Sequence, residues 1–307
     1  MSAQTEVRYD ALADRTVIVA TGRGARPHQF RAPDADADSG TEHCPFCPGH
    51  EAMTPPEVGR TGTGEPDTPG WRVRVVPNLY PIVDTHEVVV LSPDHYRSFA
   101  ALDDAAAIEV FTVLRDRVAV HLGQGHAMAV AILNHKREAG ASLPHPHAQV
   151  LATDFVPPAI ASALARAECA STDLVLDDMQ RSDTLVFASL TDDDDASVWC
   201  PYASSSPFQL RIARTQAGAH FDRAPDDEIA VVAVATRRAL ARLDDALDDP
   251  AYNLVIHSAP PSASTFHWYV EITPRLSVTA GFEQATGLFV NTVDPTQAAH
   301  TLDQVAP

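Results

Sequence analysis

The chain has 307 residues, 45% of them hydrophobic, and a formal net charge of −19. That length can bury a large core and suits two domains or one duplicated unit, while the acidic balance opposes nucleic acid as a partner, because a duplex-binding surface needs excess lysine and arginine to displace counterions. No stretch approaches the ~18 consecutive apolar residues of a membrane span, and Met1 to Glu6 lack the basic and apolar regions of a signal peptide, so a cytoplasmic protein with no membrane partner is expected.

In chain order, the first chemical signal is Cys44-Pro45-Phe46-Cys47-Pro48-Gly49-His50, a Cys-x-x-Cys knuckle that proline and glycine can turn so that both thiolates meet one ion. In a cytosolic chain this spacing favours metal binding over a disulfide. The rival, a redox pair, belongs at a helix start in a βαβ unit, and no such unit is visible. Two imidazoles from elsewhere would complete a tetrahedral, redox-silent Cys2His2 zinc site. Strands are predicted over 71–83 and 86–91. A helix then opens at Asp103-Asp104-Ala105, with Ile108, Phe111, Leu114, Val118 and Leu122 at helical spacing, and a strand follows over 128–133.

The next loop, Asn134 to Leu143, ends in small, polar, turn-forming residues that can bring backbone N–H groups close to an anion. It contains Lys136, the single lysine of the chain. The loop leads into Pro144-His145-Pro146-His147-Ala148-Gln149. On an extended strand His147 and Gln149 share one face and His145 points to the other. One imidazole can therefore attack phosphorus while the other holds something, and a neutral imidazole needs only the correct tautomer to be a nucleophile.

The second half echoes the first. Strands over 185–190, 198–202 and 208–213 precede a helix opened by Pro225-Asp226-Asp227-Glu228 and carrying Ile229, Val232, Thr236, Leu240 and Leu243. Strands over 252–256 and 269–273 follow, so His145-Pro146-His147-Ala148-Gln149 aligns with His267-Trp268-Tyr269-Val270-Glu271. With Tyr269 and Glu271 at the nucleophile and amide positions, chemistry is expected in the first half alone. The pattern predicts an α+β fold, antiparallel sheet with helices packed on it, divided as 1–160 and 161–307. Acidic runs at 34–38, 192–195 and 244–249 read as solvated loops or helix ends. Cys200, in an apolar run, reads as a core thiol and Cys169, among helix formers, as inert.

The run from Asn134 to Gln149 resembles the active-site signature of the histidine-triad superfamily, specifically its galactose-1-phosphate uridylyltransferase branch, in which His-Pro-His-x-Gln follows a Gly-x-Ser loop. The resemblance implies two histidine-triad-like units fused through a continuous sheet, the N-terminal one catalytic and the C-terminal one degenerate. It implies His147 as the nucleophile, oriented by the carbonyl of His145, with Gln149 donating to a phosphoryl oxygen and Asn134, Gly140 and Ser142 holding the phosphates. It places the third and fourth zinc ligands at His95, in a Ser-Pro-Asp-His turn, and at His145; His50 and His86 remain nearer alternatives, and His95 could instead be a satisfied core histidine.

Other matches are shorter. Arg23 and Arg26 resemble an Arg-x-x-Arg-Pro segment that approaches the nucleotide, and Asn78, with Leu79 and Tyr80, a segment that contacts base and ribose. Glu283 lies in a Gly-aromatic-Glu segment that meets the hexose, in relatives often across a homodimer interface. Ser277 and Gln209 depart from residues frequent in the family, which bears on the sugar. A second metal, held in some members by histidines matching His257 and His267, is expected to be lost because Tyr269 takes a third position. The activity implied is ping-pong transfer through a covalent nucleotidyl-histidine, from a UDP-sugar to a sugar 1-phosphate: UDP-glucose and galactose 1-phosphate. The alternative keeps the nucleophile and makes inorganic phosphate the acceptor, giving an ADP-sugar or dinucleotide phosphorylase. Residues that read phosphates carry no information on the base. A non-catalytic nucleotide-binding or zinc protein would have no need of an intact His147 and Gln149.

Overall fold

This computed structural model describes residues 5–20, 40–181, 185–188 and 196–305. The chain opens with a hairpin of β1 (Thr5–Asp10) and β2 (Arg15–Ala20). Five strands of the first half follow: β3 (Gly59–Gly62), β4 (Trp71–Pro77), β5 (Thr85–Val90), then, after helix α1 (Asp104–Gly123), β6 (Met128–His135) and β7 (His147–Thr153). Helices α2 (Pro158–Cys169) and α3 (Leu174–Arg181) lead into the second half, where β8 (Leu185–Ala188), β9 (Ala196–Trp199) and β10 (Leu210–Arg214) precede helix α4 (Asp226–Leu247) and the strands β11 (Tyr252–His257) and β12 (Tyr269–Pro274). Helix α5 (Gly281–Thr286), strand β13 (Phe289–Asn291) and helix α6 (Pro295–Asp303) close the chain.

Strands β3 to β12 form one antiparallel sheet in the order β3-β4-β5-β7-β6-β11-β12-β10-β9-β8. The order is the same for each half, reflected about the β6–β11 junction, where Leu254 pairs with Leu133. This is the α+β, duplicated, antiparallel architecture expected from the sequence. Helices α1 and α4 pack on one face of the sheet, because strand alternation sends Ala129, Ala131 and Leu133 of β6 and Ala148, Val150 and Ala152 of β7 to the same side, into a core shared with Phe111, Leu114, Val232 and Leu240. The opposite face is left to Ile132 and Asn134 of β6 and to His147 and Gln149 of β7. Polar residues fall on that face by period alone.

Helix α1 starts where Asp103 caps it, its carboxylate accepting the Ala106 N–H at 2.8 Å. Helix α4 ends in two left-handed residues, Asp248 and Asp249 (φ 59° and 55°), so the acidic run at 244–249 is a helix end. The runs at 34–38 and 192–195 lie outside the described residues. The strand expected over 71–83 stops at Pro77. There Asn78 turns the chain, its Oδ1 accepting the Tyr80 N–H at 2.9 Å, and Pro81 follows.

Sequence periodicity did not reveal the N-terminal hairpin. It pairs through β2 with β13, in parallel, and Arg8 donates to the Tyr202 carbonyl at 2.9 Å. The hairpin thus packs on the second half of the chain. Among the described residues no helix is long and apolar enough to cross a membrane.

Candidate active site

The Cys44–Cys47 knuckle is a tight turn in which the Cys47 N–H donates to the Cys44 carbonyl at 3.2 Å, and Gly49 at φ 92° lets the chain turn away. It buries both sulfurs beside Trp71, Val76, Val88 and Val90 of the sheet. His95, from the turn after β5, and His145, just before β7, enter the same pocket. One ligand atom from each of Cys44, Cys47, His95 and His145 lies within 4.8 Å of every other. Nδ1 of His145 is 3.6 Å from each sulfur, and Nδ1 of His95 is 3.3 Å from the Cys47 sulfur. In a tetrahedron with Zn–S near 2.3 Å and Zn–N near 2.05 Å the sulfur–nitrogen edge is about 3.6 Å. The four residues therefore fit such an ion in number, chemistry and spacing.

The surroundings set the imidazole tautomer. His145 Nε2 lies 2.8 Å from the Ser92 carbonyl, which can only accept, so Nε2 carries the proton and the Nδ1 lone pair faces the thiols. Burial pulls the His145 pKa down to about 4, so the ring is neutral, as a ligand must be. His50 and His86 are elsewhere. His50 Nδ1 donates to the Cys44 carbonyl at 2.8 Å, holding the knuckle from outside, and His86 bonds to Gln149.

His147 opens β7, paired with Val90. Its Nδ1 donates to the carbonyl of His145 at 2.8 Å, which leaves the Nε2 lone pair for chemistry. Burial lowers the pKa of His147, with the bond to His145 pulling the other way, and keeps it neutral. The Phe46 ring of the knuckle packs on the His147 ring with centroids 5.4 Å apart. His147 is thus tied to the Cys2His2 cluster twice, through one peptide and through one aromatic contact.

Gln149, two residues on, lies on the same face as His147 and is half-buried. Its Oε1 is 2.8 Å from His86 Nε2. Asn134 ends the same face of β6, and its Oδ1 accepts from Asn253 Nδ2 at 2.7 Å across the junction between the halves. Gly140 sits at φ 93°, a conformation that favours glycine, and folds the loop back so that a Cβ there would lie 3.8 Å from the Asn134 amide nitrogen. Ser142 is exposed. Asn78 follows β4 and meets the His86 ring, its Nδ2 3.1 Å from Nε2 and 3.3 Å from Nδ1.

Arg23 and Arg26 lie outside the described residues. Glu283 caps its own short helix, its Oε2 accepting the Ala280 N–H at 3.1 Å. Leu79 and Tyr80 project from the β4–β5 turn at 60% and 83% exposure, so Tyr80 is no core aromatic.

In the second half the equivalent positions are closed. Tyr269 stacks on His257 with ring centroids 4.5 Å apart, and Glu271 pairs at 2.9 Å with Arg211, a fully buried guanidinium that also reaches Asp178 at 2.8 Å and Asp10. His267 is held by Asp173 and by the Arg214 carbonyl, each at 2.8 Å. Among the described residues, the cluster at Cys44 is the one group of three or more ligating side chains spaced for a metal, and His257 and His267 belong to none. Arg211 escaped the reading of the sequence, and His86 entered it only as an alternative metal ligand. The signal for Arg211, a lone charge inside the apolar strand 208–213, was there to be asked about.

No family model matches the chain. Over 98% of its length it is 26% identical to an ADP-glucose phosphorylase of Arabidopsis thaliana, of which the match covers 93%. It is 23% identical to a galactose-1-phosphate uridylyltransferase of Thermotoga maritima, over 97% of each chain. Among solved structures, a crystal structure of an ADP-glucose phosphorylase from Arabidopsis thaliana with bound ADP-glucose superposes with a TM-score of 0.86 and 26% identity, covering 99% of this chain and 100% of that one. These likenesses bear out the resemblance read from the motif between Asn134 and Gln149.

Proposed function

We propose that this chain is a nucleotidyltransferase that works through a covalent nucleotidyl-histidine at His147, with a nucleoside diphosphate sugar as donor and inorganic phosphate as acceptor. The observation that carries the reading is the bond from His147 Nδ1 to the His145 carbonyl at 2.8 Å, which leaves Nε2 as a bare lone pair on a neutral ring. In the first step Nε2 attacks the α-phosphorus, a P–N bond forms, and the bond to the bridging oxygen breaks, so the sugar 1-phosphate leaves with the electron pair. In the second step a phosphate oxygen attacks the same phosphorus and the P–N electrons return to Nε2, releasing a nucleoside diphosphate. Gln149 would donate its amide to a phosphoryl oxygen as charge builds, and as a neutral donor it brings no repulsion. Cys44, Cys47, His95 and His145 would hold a zinc ion. With four protein ligands such an ion is structural and fixes the backbone that carries His147.

Similarity to ADP-glucose phosphorylase over nearly the whole of both chains supports the phosphate acceptor and an adenine nucleotide. The uridylyltransferase reading, with UDP-glucose and galactose 1-phosphate, is supported by the more distant relative from Thermotoga maritima. Intact-mass analysis after mixing enzyme with ADP-glucose or UDP-glucose alone tests both. The expected result is an added nucleoside monophosphate from ADP-glucose, discharged as ADP by inorganic phosphate and absent in His147→Ala. A His147→Ala protein that still becomes labelled would overturn the assignment, and discharge by galactose 1-phosphate but not by phosphate would reverse the choice of acceptor.

A further inference from the structure

The Gln149 amide can serve a phosphate only if its NH2 end, and not its oxygen, faces the substrate. The two ends have the same shape, so something must choose between them. The choice can be followed bond by bond from the backbone. The Ile82 N–H, which can only donate, points at His86 Nδ1 at 3.2 Å. Nδ1 is therefore the acceptor, and in a neutral ring the proton sits on Nε2. Burial lowers the His86 pKa, with the bond to Gln149 opposing, so the ring is neutral. The Nε2–H then needs an acceptor, and the atom of Gln149 at 2.8 Å must be the oxygen. Its NH2 is left for a ligand.

Nothing in this chain of bonds is loose. His86 is buried at 5% exposure on β5, and its backbone carbonyl accepts the Asn78 N–H at 2.8 Å. The Asn78 side chain is itself oriented, since its Oδ1 accepts the Tyr80 N–H; its NH2 lies against the His86 ring, 3.3 Å from Nδ1 and 3.1 Å from Nε2, so it does not distinguish the two nitrogens and the choice falls to the Ile82 N–H. The β4–β5 turn, with its exposed Leu79, Tyr80 and Ile82, is thereby wired to the amide on β7.

We propose that His86 is a positioning residue that fixes the Gln149 amide with its NH2 toward the reacting phosphate, and that the turn 78–82 sets the tautomer that does so. The inference rests on the nucleotidyl-histidine reading above for the identity of the ligand, but the tautomer itself can be measured without one. Nitrogen-15 NMR of the substrate-free protein is expected to show His86 neutral with the proton on Nε2; a proton on Nδ1, or a charged ring, overturns the proposal. The second measurement is the single-turnover rate of nucleotidyl-enzyme formation from ADP-glucose in a double-mutant cycle. His86→Phe, which keeps the bulk and loses the bond, should slow that step by roughly tenfold or more with KM little changed, and His86→Gln, which can donate to Oε1, should recover part of the loss. In a Gln149→Ala background His86→Phe should cost nothing further, because its effect passes through the amide. Full additivity would show a merely structural role and defeat the proposal. A wild-type enzyme that never becomes nucleotidylated would defeat the functional reading instead, and the NMR result would still decide the tautomer.

Discussion

Replacing Arg211 with methionine should destabilise the fold by about 3–5 kcal/mol at pH 7. Arg211 is buried completely, and its guanidinium meets Asp178 at 2.8 Å, Glu271 at 2.9 Å and Asp10. Methionine fills much of the same space, so the loss comes from leaving carboxylates buried without their cation rather than from a cavity. The pH dependence identifies the cause. Burial pushes Glu271 up, but the charges of Arg211, His257 and Arg15 outweigh it and bring the carboxyl from 4.5 down to about 2. A depressed carboxyl contributes stability that is present above its ordinary value and lost as pH falls through the folded value. Without Arg211, burial faces weaker opposition and the folded value rises, so acidification protonates Glu271 and relieves the penalty. The deficit of the variant should then be largest near pH 7 and shrink toward pH 4. Urea unfolding at both pH values measures it, alongside a Tm lowered by roughly 6–20 °C at neutral pH. A deficit below about 1 kcal/mol, or one that does not change between the two pH values, would refute the account.

Two further outcomes follow from the same geometry. Purified protein should carry one zinc ion per chain by elemental analysis, and Cys47→Ser, which removes the sulfur 3.3 Å from His95 and 3.6 Å from His145, should lose most of it and melt at lower temperature. Burial, with repulsion from Asp249, raises Asp244 to about 7, so this carboxyl destabilises the fold as pH rises from about 4 through 7. Asp244→Asn should therefore stabilise the protein by about 1–2 kcal/mol at pH 8, after discounting for its partial exposure, and by nothing measurable at pH 4; denaturant titrations at the two pH values check the sign.

How much of this was legible in the sequence varies with how local the cause is. Strands β6 and β7 show themselves because one face is buried, and alternation also puts His147 and Gln149 on the other. The helix starts at Asp103 and Asp226 were visible as acids before an apolar period. The zinc-type cluster spans 101 residues between Cys44 and His145, and resemblance to a family rather than spacing brought its members together. His86 was read as a spare metal ligand because a sequence shows the ring but not the backbone N–H of Ile82 that decides its tautomer. The N-terminal hairpin stayed hidden for the same reason. Its partners, β13 and Arg211, lie in the second half of the chain, and only tertiary pairing accounts for the buried Asp10. Arg23 and Arg26 fall outside the described residues, so the sequence remains the sole witness for them.

The two halves show why one keeps an amide free to meet a ligand and the other does not. In the register of the sheet Gln149 stands opposite Val88 on β5, and in the second half Glu271 stands opposite Arg211 on β10. Moving between the halves changes both members of the pair at once, amide to carboxylate and valine to arginine. Beside valine the amide has no strand partner that competes for its NH2, and His86 takes only the oxygen, so the NH2 remains for a ligand. Beside arginine the carboxylate spends its charge inside the protein, and the guanidinium in turn recruits Asp10 and Asp178 from elements that lie over that face. Either change alone would be costly: a carboxylate next to Val88 would be half-buried without a cation, and an arginine opposite a neutral amide would be buried without enough anion. Closure of the second site therefore needs the paired change together with the segments that cover it. The same logic makes a single Gln149→Glu substitution in the first half a loss of the donor without a gain of the closed, ion-paired core that Glu271 enjoys.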